Sequence, residues 1–263
     1  MHLDSASATA TSGPAREALG LQAKRENTVN AGKKLGITTS PCAALPTRLM
    51  HFALALWVMA SDKERKGMNL EERMWGYTGA AGMVQALAAG YFLFDLTVMI
   101  RYLDVFGVGM LTHASSCLLT YTLGFRPIFN YYGCVFMLYE LSTPFLNFHW
   151  FFDKLGMTGS KAQLYNGFAL ISVFFSCRIV WGAYSSVNIY RDVWNALHFD
   201  PNSKLSTNDE MMRFGRDRSL PMWLVVLYLG GHITLQVLNV FWLGKMIAAI
   251  KKRFTPSSAD KKK

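Results

Sequence analysis

Hydrophobic positions along this chain fall in long blocks, with no sustained period-two alternation. A helix crossing the roughly 30 Å hydrocarbon core of a bilayer needs about 20 mostly apolar residues. Five stretches meet that requirement. Residues 74–100 are uncharged until Asp95, and residues 105–125 contain no Asp, Glu, Lys or Arg. Residues 127–152 carry a single charge, Glu140, and residues 162–190 carry only Arg178. Residues 220–244 carry none. A sixth stretch, 49–60, is apolar but short, so it spans only by borrowing flanking residues, or it lies re-entrant or interfacial. Lipid offers backbone groups no hydrogen-bonding partner, and helices satisfy their own. The pattern therefore predicts an all-α fold, a polytopic membrane helix bundle of about five to six transmembrane helices.

The connections at 101–104 and around Arg126 are short and predict antiparallel neighbours. The only long one, 188–219, is polar and contains the turn sequence Asp200-Pro201-Asn202-Ser203. No repeat at a fixed period is seen.

Composition agrees with the blocks. Of 263 residues, 51% are hydrophobic and only 17% charged, against roughly 25% charged in soluble domains. The net charge of +10 would suggest nucleic acid, but its distribution argues otherwise. Residues 1–48 carry +3, residues 251–263 carry +5, and the 202 residues between carry only +2. The expected organisation is a disordered polar tail over 1–45, a membrane domain over 46–250 and a basic tail over 251–263. No nucleic-acid partner is expected. With six spans, the side that collects both tails also collects Arg101, Lys154 and Lys161, which predicts cytosolic termini. The four cysteines form no CxxC pair and read as small core residues. No metal site and no cofactor are expected.

Five ionisable residues inside the blocks are candidates for function, since each costs a few kcal/mol there unless paired, hydrated or used. Asp95 reads as an interfacial acid or a partner for Arg178. His113 sits mid-block, where a neutral imidazole both donates and accepts; it is a candidate proton shuttle or an interhelical hydrogen bond. Glu140 lies in Tyr139-Glu140-Leu141-Ser142-Thr143-Pro144-Phe145-Leu146-Asn147. Pro144 crowds the carbonyl of residue 140 and opens a kink beside the carboxylate. Glu140, Thr143 and Asn147 share one helical face and would make a polar pocket wall. Arg178 is the counter-ion expected for Asp95 or Glu140. His232, after Gly230-Gly231, reads as a packing residue.

Four places together resemble the TLC domain, the membrane domain shared by ceramide synthases and lipid-homeostasis proteins. They are Arg48-Leu49-Met50-His51-Phe52-Ala53, Gly90-Tyr91-Phe92-Leu93-Phe94-Asp95, Met110-Leu111-Thr112-His113-Ala114 and the Glu140 segment, which is similar to the Glu-x-Ser-Thr-Pro-Phe-x-Asn of the non-synthase branch. Ceramide synthases carry two adjacent histidines and an Asp-x-Ser-Asp element. Here Thr112 stands at the first histidine position and Glu140 at the acid position, with no second acid at Thr143. The resemblance implies a multi-pass protein of membrane lipid homeostasis in the endoplasmic reticulum. Membrane lipids would be its partners, with a second copy of the chain as a further candidate. A lipid would be held by Asp95, His113, Glu140, Thr143, Asn147 and Arg178. The alternative it implies is a ceramide-synthase-like N-acyltransferase, with His113 and Glu140 as the catalytic pair and acyl-CoA as a substrate.

Overall fold

A computed structural model describes residues 41–126, 128–200, 206, 208–215 and 220–254. Every regular element among them is helical. The tail expected over 1–45 and the basic end over 251–263 lie largely outside the described residues, as do Pro201, Asn202 and Ser203 of the expected turn.

The chain runs α1 (Pro41–Ser61), two short helices α2 (Lys63–Lys66) and α3 (Leu70–Trp75), then α4 (Gly79–Arg101) and α5 (Leu103–Leu123). Next come α6 (Asn130–Met137), a 3-10 segment (Leu138–Ser142) and α7 (Thr143–Lys154). Helix α8 (Lys161–Phe174) continues through a π-helical turn (Phe175–Val180) into α9 (Trp181–Leu197), and α10 (Met222–Phe254) closes the bundle. Four stretches are long and apolar enough to cross a membrane: Leu70–Arg101, Leu103–Leu123, Lys161–Leu197 and Met222–Phe254.

The structure refines three expected boundaries. Met74 falls inside the Leu70–Arg101 stretch, whose long helix starts at Gly79, because the backbone turns extended at Gly76 and Thr78 caps that helix through its hydroxyl, 3.4 Å from the Ala81 amide. The block at 127–152 is no single helix but the three pieces around Glu140. The long loop shortens, because α9 continues to Leu197. The short apolar stretch at 49–60 belongs to the 21-residue helix α1, about 31 Å long at 1.5 Å per residue. That is a sufficient length, although only Leu49–Ser61 is apolar.

The connections fix an up-and-down layout. Arg253 donates to the Ser160 carbonyl at 3.1 Å, so the end of α10 meets the α7–α8 turn. The opposite end is stapled by polar groups. Arg73 grips Asp192 through two hydrogen bonds of 2.7 Å, and the Tyr132 hydroxyl donates to the same carboxylate at 2.6 Å. Glu71 and Glu72 accept from the Ser206 amide and hydroxyl, each at 2.7 Å. Between α4 and α5, Gln85 donates to the Tyr121 carbonyl and accepts from Asn130. A Cβ at Gly124, just past α5, would fall 1.8 Å from that buried amide, so a larger residue there would have to displace Gln85 from its hydrogen bonds.

The apolar interior has two parts. Ala81, Val84, Ala88 and Phe92 of α4 pack with Ala55, Val58, Cys117, Tyr121 and Met137. Nearer the stapled end, Trp75, Phe129, Tyr132, Phe136 and Tyr228 pack with Ile189 and Leu224. Phe129 is held in the left-handed region at φ 65°, and its ring stacks on Tyr228 at 4.0 Å between centroids. That burial offsets a backbone conformation rare outside glycine.

Candidate functional site

Two irregular helical turns face one another in the bundle and carry the two charges that matter most. Pro144 stands near the start of α7 and cannot donate to a preceding carbonyl. The expected kink takes the form of the 3-10 segment Leu138–Ser142, which delivers Glu140 to the interior. Opposite it, the π turn Phe175–Val180 carries Arg178 inward. Single π turns inside α-helices recur at functional sites, and no local feature of residues 175–180 signals one.

Arg178 is buried, and each of its three side-chain nitrogens donates a hydrogen bond. Its Nη2 donates to Glu140 Oε1 at 3.0 Å, Nη1 to Asn239 Oδ1 at 3.1 Å and Nε to Ser142 Oγ at 3.2 Å. The Thr143 hydroxyl donates to Glu140 Oε2 at 2.6 Å. The counter-ion of Arg178 is therefore Glu140, and both carboxylate oxygens are engaged. Only a charge pair completed by such hydrogen bonds is tolerable at this depth.

From this pair a hydrogen-bonded track runs along α9 and α10. Gln236 donates to the Tyr139 hydroxyl at 3.1 Å, and its amide lies 3.3 Å from the Ser186 hydroxyl. Ser186 Oγ is 2.9 Å from His232 Nε2. His232 is fully buried, stacked on Phe136 at 4.9 Å, as expected of a packing residue.

A cavity of about 220 Å³ lies on one side of the pair. Phe92, Met110, Leu170, Phe174 and Trp242 supply apolar wall, while Asp95, His113, Glu140, Thr143 and Arg178 supply polar groups. A smaller cavity of about 30 Å³ lies behind, bordered by His113, Cys117, Tyr139, Glu140, Arg178 and His232. Such a space accommodates about two waters. Both cavities share His113, Glu140 and Arg178. The His113 ring packs edge-on against Trp242 at 5.3 Å and lies 3.7 Å, through Nε2, from Cys117 Sγ.

Five of the six expected lipid-site residues thus meet at one cavity. The sixth, Asn147, is buried on α7 but is not among the residues lining either cavity. Three participants were not anticipated. Ser142 belongs to the Glu140 motif but is uncharged, and nothing in the local sequence of Asn239 singles it out. Lys245 lines the larger cavity. It sits just past the uncharged block that ends at 244, so the hydrophobic pattern placed it outside the span.

Fold and site together define a polytopic helical membrane protein with an ion pair and a cavity inside its bundle. The chain belongs to the TLC domain family, whose model matches residues 43–248. It is 38% identical over 183 residues to a TLC domain-containing protein of Schizosaccharomyces pombe, covering 69% of this chain and 56% of the relative. It is 31% identical to the Saccharomyces cerevisiae protein named Topoisomerase I damage affected protein 4, covering 69% and 60%. It is 27% identical to human TLC domain-containing protein 4, covering 73% and 65%. The chain therefore spans under two thirds of the length of these relatives. No solved structure matches it.

Proposed function

We propose that this protein handles a lipid inside its helix bundle and acts in membrane lipid homeostasis. The observation that carries the reading is the larger cavity: apolar walls around a polar floor, enclosed by helices long enough to cross a bilayer. Ligand sites have this composition, mostly apolar with a few fixed polar groups. Membrane lipids are its partners in this reading, self-association into a homo-oligomer is a further proposal, and the endoplasmic reticulum is the proposed compartment, with cytosolic termini.

A second reading is an N-acyltransferase that takes acyl-CoA as substrate, with His113 as base or acyl acceptor. It is favoured by His113 and Glu140 lining the same cavity. Against it, Glu140 is ion-paired with Arg178, which suits a fixed wall better than an acid that orients histidine.

Native mass spectrometry of protein released from membranes in mild detergent tests the first reading. Wild type is expected to retain a bound lipid. Leu170→Trp, which projects an indole into the cavity, is expected to reduce retention at least tenfold. Equal retention by the filled variant contradicts the reading. Incubation with a sphingoid base and labelled acyl-CoA tests the second: turnover abolished by His113→Ala supports it, and no turnover, or turnover surviving that change, removes it.

A further inference from the structure

Lys245 is the one cavity-lining cation that Glu140 does not hold, and the structure gives it no ion pair or hydrogen bond among the described residues. Its ammonium lies 5.3 Å from the centre of the Phe241 ring, on its own helix, and the residue is exposed. A lysine that only needed water could extend toward the interface from any face of α10. This one lines the cavity and is exposed, as is Leu146 of α7 in the same lining, which places both at its mouth. It stands six residues before the basic last turn of α10, Lys251-Lys252-Arg253. Lys252 is seven residues on and so occupies the same helical stripe. Positive charge therefore runs from the cavity mouth to the helix end, with no acid on residues 244–254.

The other charges at the cavity decide where an anion would stop. Each nitrogen of the Arg178 guanidinium donates to a protein acceptor, Glu140, Ser142 or Asn239, and the group is already ion-paired. Asp95, buried on α4, lines the same cavity as Glu140, so the buried part of the lining holds two carboxylates beside one guanidinium. His113 lines the same cavity with its imidazole ring. An anionic group is thus favoured at the mouth and disfavoured on the floor, while apolar chain is accepted by the walls.

We propose that the cavity receives a phosphate-bearing lipid, its phosphate held by Lys245 at the mouth and its acyl chain along Phe92, Phe174 and Trp242. This assignment rests on the lipid-handling reading above. A charge-assisted hydrogen bond to phosphate gives about a tenfold preference over the same lipid without phosphate.

The test uses the full chain in nanodiscs, with phosphatidic acid and diacylglycerol of identical chains as probes. Wild type is expected to bind phosphatidic acid about tenfold more tightly. Lys245→Gln is expected to erase the preference while still binding diacylglycerol, which also shows that the variant is folded. Lys245→Arg is expected to keep it, as is Lys252→Gln, which samples nonspecific attraction to the basic helix end. Equal binding of both lipids by wild type, or an unchanged preference in Lys245→Gln, overturns the phosphate assignment. Displacement of the lipid by glycerol phosphate at equal concentration overturns the lipid source, since the phosphate would then suffice. Binding of neither lipid overturns the lipid-handling reading itself.

Discussion

Arg178→Met is expected to destabilise the folded bundle by about 3–5 kcal/mol, the range for breaking a buried ion pair from one side. The loss comes from what remains behind. Glu140 keeps the hydrogen bond from Thr143 but stays buried as a charge without its guanidinium counter-ion. Asn239 and Ser142 lose their shared donor as well. Arg178→Lys should recover only part of the stability, because an ammonium cannot reach three acceptors in the fixed fork of a guanidinium. The double change Glu140→Leu with Arg178→Leu should be milder than Arg178→Met alone, because removing both charges removes the desolvation penalty together with the attraction. Thermal or denaturant unfolding in detergent micelles measures all four proteins. An Arg178→Met loss below about 1 kcal/mol would show that the pair is hydrated and that its geometry does not hold the bundle.

The second large effect lies at the opposite end. Asp192→Ala removes the acceptor of three hydrogen bonds, two from Arg73 and one from Tyr132. Side-chain exposure is 28% for Arg73 but only 5% for Asp192, so the stranded guanidinium reaches water while the buried tyrosine hydroxyl does not. The expected loss is therefore smaller, about 2–3 kcal/mol, set mainly by the unsatisfied donors. Asp192→Asn should cost about half as much, since its amide oxygen still accepts from Tyr132. The cavity lies elsewhere in the bundle, so lipid retention by the folded fraction should be unchanged in both variants. Unfolding midpoints and native mass spectrometry on the same samples check this. Loss of bound lipid at full stability would contradict the separation of the stapled end from the cavity.

The contrast between these sites bears on function. At the stapled end, charged groups are satisfied by one another near the polar boundary, where such clusters are inexpensive. At the cavity, Glu140 and Arg178 are satisfied at a depth where leucine would pack more cheaply. They also shape a polar floor against which a ligand's polar group can lie, which supports a binding role for the pair beyond architecture.

The hydrophobic pattern by itself determined the class of fold and the identity of the rare charges within its apolar blocks. It could do so because lipid imposes length and charge limits that act on each segment separately. Pro144 likewise marked a break beside Glu140, since the missing amide is a local fact. The faces were not legible. Helices α4 and α5 are apolar nearly all round, so periodicity does not separate the side toward lipid from the side toward protein. Only the tertiary structure decided that Arg178 pairs with Glu140, that a π turn aims it there and that Asn147 stays off the cavity wall. It also decided that Lys245, outside every uncharged block, faces the cavity. Each of these depends on how one helix is rotated against another, and that rotation is set by packing among segments distant in the chain.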